Sequence, residues 1–432
     1  MKTTEFFSPL LGERYVCAEH DSGLPIYVFP KKRTTTCALL AVRYGSTDCT
    51  FLPAGSASAV QSPAGVAHYL EHKLFENEDG SDSFARFAML GADANAYTSY
   101  DRTAYTFSCT EHFDEALAEL FGFVTHPHFT DATVEKERGI ITEEIRMYAD
   151  NPWERCFRNL LRVMYRRHPL RQDICGSEAS IRKITPAILY DCYDNFYTPE
   201  NMVLVVCGDV TAEQVLAVAD RALPAKDFRK AAKPVYPDEP LGIEGEHRIC
   251  QKMPVAKPLF AIGIKDTVKG LSADERFRRE TAMSLLCDIL FSRSGSFYNA
   301  LFENQIISPA FSAGYSCTDS FAFTCLSGEA DEPDLVFALF KEYVKKVRTE
   351  GISDEDFERC RRVQYADELR AYDSTEEIAN RLLSFVLDGT EMFDCPAVLQ
   401  SMTKAEIETL LRENCREEYF ALSVIKPTET EA

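Results

Sequence analysis

Two near-continuous apolar runs frame the first half of this chain: Cys37–Tyr44, closed by Gly45, and Met202–Val210, which ends through Gly208-Asp209. Short apolar runs bounded by turn formers predict strands buried on both faces. Around them the period changes. Residues 14–29 read as two strands about the turn Asp21-Ser22-Gly23, with His20 as polar surface beside it. Ala94–Ser99 and Thr103–Cys109 alternate like two more strands. Helical spacing begins near Gly65-Val66 and recurs over Ser83–Leu90, Phe113–His126, Thr133–Tyr148, Trp153–Tyr165, Pro186–Phe196 and Thr211–Ala222. Residues 50–64, rich in Ala, Ser and Pro, read as loop, and Arg166-Arg167-His168-Pro169 as a solvated helix end. His126 and His128 flank Pro127 and share no helical face, so they read as structural.

Residues 224–247 carry Pro224, Pro234, Pro237 and Pro240, mixed charges and little periodicity, the composition of a linker. Beyond it the order of elements repeats. Leu259–Asp266 echoes the strand at 37–44, Thr281–Phe291 the helix after Gly65, and Phe311–Ser327 the strand pair 94–109. Leu335–Val347, Asp354–Tyr372, Ile407–Asn414 and Phe420–Lys426 echo 113–125, 131–148, 188–195 and 202–208. The pattern predicts two α+β domains of similar topology, each a mixed, mainly antiparallel sheet packed with helices. The expected division is 1–228, a linker over 229–246, and 247–432.

Composition narrows the function. Net charge is −21, from 68 acidic and 47 basic residues, which argues against nucleic acid or an anionic membrane as a partner. The segment Met1–Pro9 lacks the apolar core of a signal peptide, and no run reaches the roughly 18 apolar residues of a membrane span. Fifteen cysteines, scattered without a C-x-x-C pair, read as reduced thiols. The expectation is a cytoplasmic protein.

The chemistry centres on His68-Tyr69-Leu70-Glu71-His72. At 100° per residue His68 and His72 share a helical face, with Glu71 beside it. Two imidazoles suit a zinc ion, and a carboxylate that does not ligate can deprotonate a metal-bound water. The order H-x-x-E-H takes its third ligand from a distant glutamate. The segment Glu137–Met147 supplies candidates, because Glu137 and Glu144 lie two turns apart on one face. The second half holds no histidine after His247, so a repeated domain there lacks the metal.

With Leu74-Phe75, the stretch Gly91–Ser99, the run Asp101–Tyr105, the Glu137…Glu144 pair and Tyr148–Pro152, the sequence resembles the pitrilysin/insulinase family of zinc peptidases. It is similar within it to the YmfH-like bacterial subfamily, and is related to the catalytic subunit of the mitochondrial processing peptidase. The resemblance implies a processing-peptidase-like (LuxS-type) metallohydrolase fold and one zinc per chain. It implies His68, His72 and Glu144 as ligands, Glu71 as general base, and Glu137 as a carboxylate supporting the ligands. It also implies that Ala94, Asn95, Ala96, Tyr97 and Thr98 form an edge strand to which a peptide substrate adds. Members active alone carry an arginine and a tyrosine in the non-catalytic half, where this chain has Phe302 and Phe311, with Tyr315 a few residues on. The implied partner is therefore a homologous non-catalytic chain that supplies both. The alternative role is a non-hydrolytic scaffold or substrate-binding subunit of a processing or modification assembly, such as one linked to elongation factor P modification.

Overall fold

The two apolar runs pair with each other at the centre of a sheet. In the computed structural model, which describes residues 2–223 and 229–428, the chain opens with β1 (Lys2–Ser8), β2 (Glu13–Glu19), β3 (Pro25–Pro30), β4 (Thr36–Val42), β5 (Thr50–Leu52) and β6 (Val60–Gln61). Helices α1 (Val66–Leu74) and α2 (Ser83–Met89) lead to the hairpin β7 (Asp93–Thr98) and β8 (Thr103–Cys109). Then follow α3 (Phe113–Thr125), α4 (Asp131–Asp150), α5 (Pro152–Met164), α6 (Glu178–Ile181), α7 (Pro186–Phe196), β9 (Met202–Gly208) and α8 (Ala212–Ala222). Seven strands form one sheet in the order β1-β2-β3-β9-β4-β8-β7, antiparallel except for the β3–β9 pair. Every residue of β4 and β9 is buried, as strands apolar on both faces require. The strand β7 is left at the edge.

A short strand, β10 (Lys233–Pro234), leads to β11 (Arg248–Met253), β12 (Leu259–Asp266), α9 (Ala273–Phe291), α10 (Ser296–Glu303), β13 (Phe311–Cys317) and β14 (Ala322–Glu329). The chain closes with α11 (Pro333–Glu350), α12 (Asp354–Arg370), α13 (Thr375–Asp388), α14 (Cys395–Ser401), α15 (Lys404–Asn414) and β15 (Phe420–Pro427). The second sheet runs β11-β15-β12-β14-β13, with only β11–β15 parallel. It repeats β3-β9-β4-β8-β7, down to the position of the parallel pair. The fold class is the one predicted: two similar α+β units.

Periodicity did not reveal that the halves exchange a helix. The first-half helix α5 packs on β12 and β15 of the second sheet, and the second-half helix α13 packs on β4 and β9 of the first. Leu160, Leu161 and Met164 share a core with Leu259, Ala261, Ala421 and Ile425. Ile378, Leu382 and Leu383 share another with Leu39, Ala41, Val203 and Val205. Each sheet thus has one face covered by its own helices and the other by a helix from the opposite half.

Three local expectations change, and one strand went unread. Residues 50–64 are not all loop, since β5 and β6 form a small sheet with β10. Residues 2–8 form an edge strand whose side chains are nearly all exposed, so no apolar alternation marked it. His20 is buried rather than polar surface, with Nδ1 2.9 Å from Ser22 Oγ and Nε2 3.2 Å from Asp220 of α8. The stretch Arg166–Pro169 is not a solvated helix end. His168 is buried, and the N–H groups of Arg166, Arg167 and His168 donate to the Glu239 carboxylate at 2.9, 2.7 and 2.8 Å. Glu239 also accepts from Lys265 at 2.6 Å, so the proline-rich stretch is pinned to both halves. The expected boundary at residue 228, like Pro224, lies outside the described residues.

Leu382→Ala removes a fully buried side chain from the interface of α13 with the first sheet. We expect it to cost about 2–5 kcal/mol, measured by denaturant unfolding followed through the single tryptophan, Trp153 on α5. A cost under about 1 kcal/mol would mean that α13 does not complete that core.

Candidate metal centre

The helix α1 begins at a backbone contact that only glycine permits. Gly65 has φ +94°, and a Cβ there would lie 2.5 Å from the Cys175 carbonyl oxygen. Gly176 has φ +74°, and a Cβ there would lie 2.4 Å from the Ala64 carbonyl oxygen. The two glycines let the loop before α1 and the 173–176 turn touch. Val66, Tyr69, Leu70 and Leu74 then bury one face of the helix in the first core. That leaves His68 and His72 one turn apart on another face, with ring centroids 4.6 Å apart. The helix α4 starts at a capping box between Thr130 and Thr133. It buries Val134, Glu137 and Ile141 and carries Glu144 on toward the histidines. The Tyr69 hydroxyl donates to the Val134 carbonyl and fastens α1 to α4.

Three donor atoms converge. Glu144 Oε2 lies 3.5 Å from His68 Nε2 and 3.4 Å from His72 Nε2. Ligand atoms of His68, His72 and Glu144 all fall within 4.8 Å of one another. Glu144 Oε2 is buried and has no hydrogen-bond partner among the described residues, so lone pairs face one shared point. This donor set fits a zinc-type ion, with two imidazoles and one carboxylate. Glu137 stands behind it, with Oε1 3.0 Å from His72 Nδ1, which directs Nε2 toward Glu144. Burial alone would lower the His72 pKa, but the Glu137 and Glu144 carboxylates beside its two ring nitrogens outweigh that and raise it to about 10. Burial would raise Glu144, yet the two histidines hold it well below the usual carboxylate range.

Glu71 is outside this triad. Its Oε2 accepts from the Thr98 hydroxyl at 2.5 Å, so the edge strand orients it. Just past β7 the Ser99 N–H donates to the Arg102 carbonyl at 2.8 Å, and within it Thr98 pairs with Thr103. By the antiparallel alternation, Asp93, Asn95 and Tyr97 bond β8, while Ala94, Ala96 and Thr98 turn their main-chain groups to the open edge. The Ala96 N–H is met by the neighbouring Asn95 side chain, Oδ1 at 2.8 Å. A cavity of about 330 Å³ lies here, lined by Glu71, His72, Phe75, Phe84, Asn95 and Ile140. Phe75 and Phe84 stack at its wall with centroids 4.0 Å apart.

Sequence reasoning missed Cys175. Its Sγ lies 3.7 Å from His68 Nε2, and burial, reinforced by the Glu144 charge, pushes the thiol up to about 12. A lone cysteine so far along the chain carries no spacing signal. Tyr315 has another task, since its hydroxyl donates to Asp266 Oδ2 at 2.7 Å, and Asp266 is paired with Arg279. Phe302 is exposed on α10, and Phe311 is buried in the second core.

Known proteins resemble this chain along nearly all its length. The family model described as Insulinase (Peptidase family M16) matches residues 46–178, and that described as Peptidase M16 inactive domain matches 183–364. YmfH of Bacillus subtilis (strain 168), described as an uncharacterized zinc protease, is 35% identical over 94% of this chain and 95% of its own. The beta subunit of the mitochondrial-processing peptidase of Neurospora crassa is 30% identical over 41% of this chain and 38% of its own. A solved M16-like peptidase structure from Alicyclobacillus acidocaldarius superposes with a TM-score of 0.92 at 34% identity, covering 98% of this chain and 100% of that one.

Two outcomes follow from the geometry. The purified chain should hold one zinc, and His68→Ala or Glu144→Ala should reduce occupancy strongly in elemental analysis. Stoichiometric zinc in a His68→Ala, His72→Ala double variant would contradict the assignment. The metal-free fold should also carry a proton on His72 at neutral pH. Because its pKa is raised above the ordinary 6.5 to about 10, that proton stabilises the metal-free fold fully below about pH 6.5, and the contribution is lost as pH rises through about 10. Titration calorimetry at pH 8 in buffers of differing ionisation enthalpy should show about one proton released per zinc bound. No release would contradict the raised value.

Proposed function

The chain belongs to the insulinase family, peptidase family M16, on its YmfH-like branch, and from that premise we propose that it is a zinc-dependent metalloendopeptidase acting on extended polypeptide segments. The observation that carries this reading is the convergence of His68, His72 and Glu144 beside a carboxylate, Glu71, that takes no part in the triad. His68, His72 and Glu144 would hold the zinc, which when bound supplies Lewis acidity and a water of lowered pKa. Glu137 keeps His72 in the tautomer that presents Nε2. Glu71, held at Oε2 by Thr98, would use its other oxygen to take a proton from the attacking water and deliver it to the leaving amine. The outward main-chain groups of Ala94, Ala96 and Thr98 pair with the substrate as an added strand. Asn95 gives up its contact with the Ala96 N–H as that strand forms. Tyr97 is exposed on the face of β7 that Asn95 shares. The Phe75–Phe84 cavity receives a side chain next to the cleaved bond.

The active form in this proposal is a heterodimer. Phe302 and Phe311 offer neither charge nor hydroxyl, and the Tyr315 hydroxyl is committed to Asp266. A homologous partner without H-x-x-E-H would supply the arginine and tyrosine that steady the developing oxyanion. The same two phenylalanines favour the second reading, a substrate-binding subunit without hydrolysis, whereas the complete donor set favours the enzyme. All fifteen cysteines are free, which supports a reducing, cytoplasmic setting. Among the described residues no helix is long and apolar enough to cross a membrane.

Glu71→Gln keeps size and polarity but cannot accept a proton. Zinc content should be unchanged, while peptide hydrolysis by the assembled enzyme, read by mass spectrometry, should fall at least about a hundredfold. Wild-type turnover in that variant would remove Glu71 from the role of base. The chain alone should bind zinc yet cleave peptides poorly. Full activity from a partner-free preparation, verified by light scattering, would refute the heterodimer.

A further inference from the structure

The candidate metal ligands stand on two elements, His68 and His72 on α1 and Glu144 on α4, and one side chain of α5 meets α4 directly and the turn that abuts α1. The Arg158 guanidinium lies over the Tyr148 ring, 5.3 Å from its centroid. Tyr148 is one helical turn beyond Glu144 on α4. On its other side Arg158 Nη1 is 3.0 Å from Asp173 Oδ2. Asp173 opens the turn that carries Cys175 and Gly176, closed by the Gly176 N–H to the Asp173 carbonyl at 2.8 Å. That turn touches His68 Nε2 through Cys175 Sγ at 3.7 Å and abuts Gly65, the residue that starts α1. Arg158 is largely buried, so both contacts are shielded from water.

The base of this clamp is not in the first half. The helix α5 is fixed to the second sheet by Asn159 Nδ2 donating to Gln251 Oε1 at 2.9 Å and the Tyr165 hydroxyl donating to the Ala322 carbonyl at 2.9 Å. Met164 fills the space left by Gly263 of β12, where a Cβ would lie 2.3 Å from its sulfur. The metal-free half therefore supplies the platform from which Arg158 reaches across.

We propose that Arg158, with Asp173, is a positioning residue for the metal centre, setting the spacing between His68 on α1 and Glu144 on α4 from a helix anchored in the opposite half. The inference rests on the reading of His68, His72 and Glu144 as metal ligands. Arg158 touches neither metal nor substrate; it acts through Tyr148 and the 173–176 turn. Lysine retains the charge toward Asp173 but lacks the planar group that lies over Tyr148.

The test compares full-length wild type with Arg158→Met, Arg158→Lys, Asp173→Asn and, as a ligand control, His68→Ala. Zinc affinity is read by competition with a chelator, and the cobalt-substituted protein by its visible absorption bands, which report ligand geometry. Arg158→Met should bind zinc at least about tenfold more weakly, the scale of lost outer-sphere support, and shift the cobalt bands. Arg158→Lys should recover part of both, and Asp173→Asn should move both in the same direction as Arg158→Met. Should Arg158→Met fail to fold, Asp173→Asn and Arg158→Lys decide the matter alone. Wild-type affinity and unchanged cobalt bands in the folded variants, with His68→Ala losing zinc, would overturn this inference and leave the metal site standing. Wild-type protein that bound no zinc would overturn both.

Discussion

Everything in this structure depends on two strands that are apolar on both faces. β4 and β9 cannot sit at a surface, so each face of their sheet has to be covered. One face is covered by the first half's own helices, α1 and α3 among them. The other is closed by α13, a helix more than a hundred and fifty residues further on, as the matching face of the second sheet is closed by α5. Burial of about 25 cal/mol per Å² of apolar surface drives both exchanges. The result is a molecule whose halves are repeats in topology and one unit in packing.

That arrangement decides where polar chemistry can stand. α1 is held on its apolar side by the core, which leaves His68 and His72 facing α4. Glu137 and Glu144, two turns apart on α4, then meet different nitrogens of the pair: Glu137 takes His72 Nδ1, and Glu144 lies between the two Nε2 atoms. The two carboxylates hold a proton on His72, and a cation competes with that proton for the same lone pair. The edge strand completes the constellation because Thr98 both offers main-chain groups to the outside and turns its hydroxyl to Glu71.

The legible parts were the local ones. The H-x-x-E-H face follows from helical geometry within five residues, and the central strands follow from short runs bounded by turn formers. Glu144 and Glu137 share a helical face, so spacing alone did not separate ligand from supporting carboxylate, and family resemblance ordered them. The helix exchange was invisible because an amphipathic pattern shows that a face is buried and not against which sheet. His20 and His168 were misread for the same reason: their neighbours in sequence are polar, while the contacts that bury them come from Asp220 and from the linker around Glu239 and Tyr236. Cys175 reaches His68 across 107 positions through a backbone contact that no periodicity encodes.

The central claim is that one histidine pair and one glutamate hold a zinc ion, with the nearby thiol outside its ligand set. Zinc-edge X-ray absorption on the purified chain addresses it directly. The structure predicts only nitrogen and oxygen neighbours at about 2.0–2.2 Å, with a two-imidazole signature. A sulfur neighbour at about 2.3 Å would place Cys175 on the metal and contradict the account.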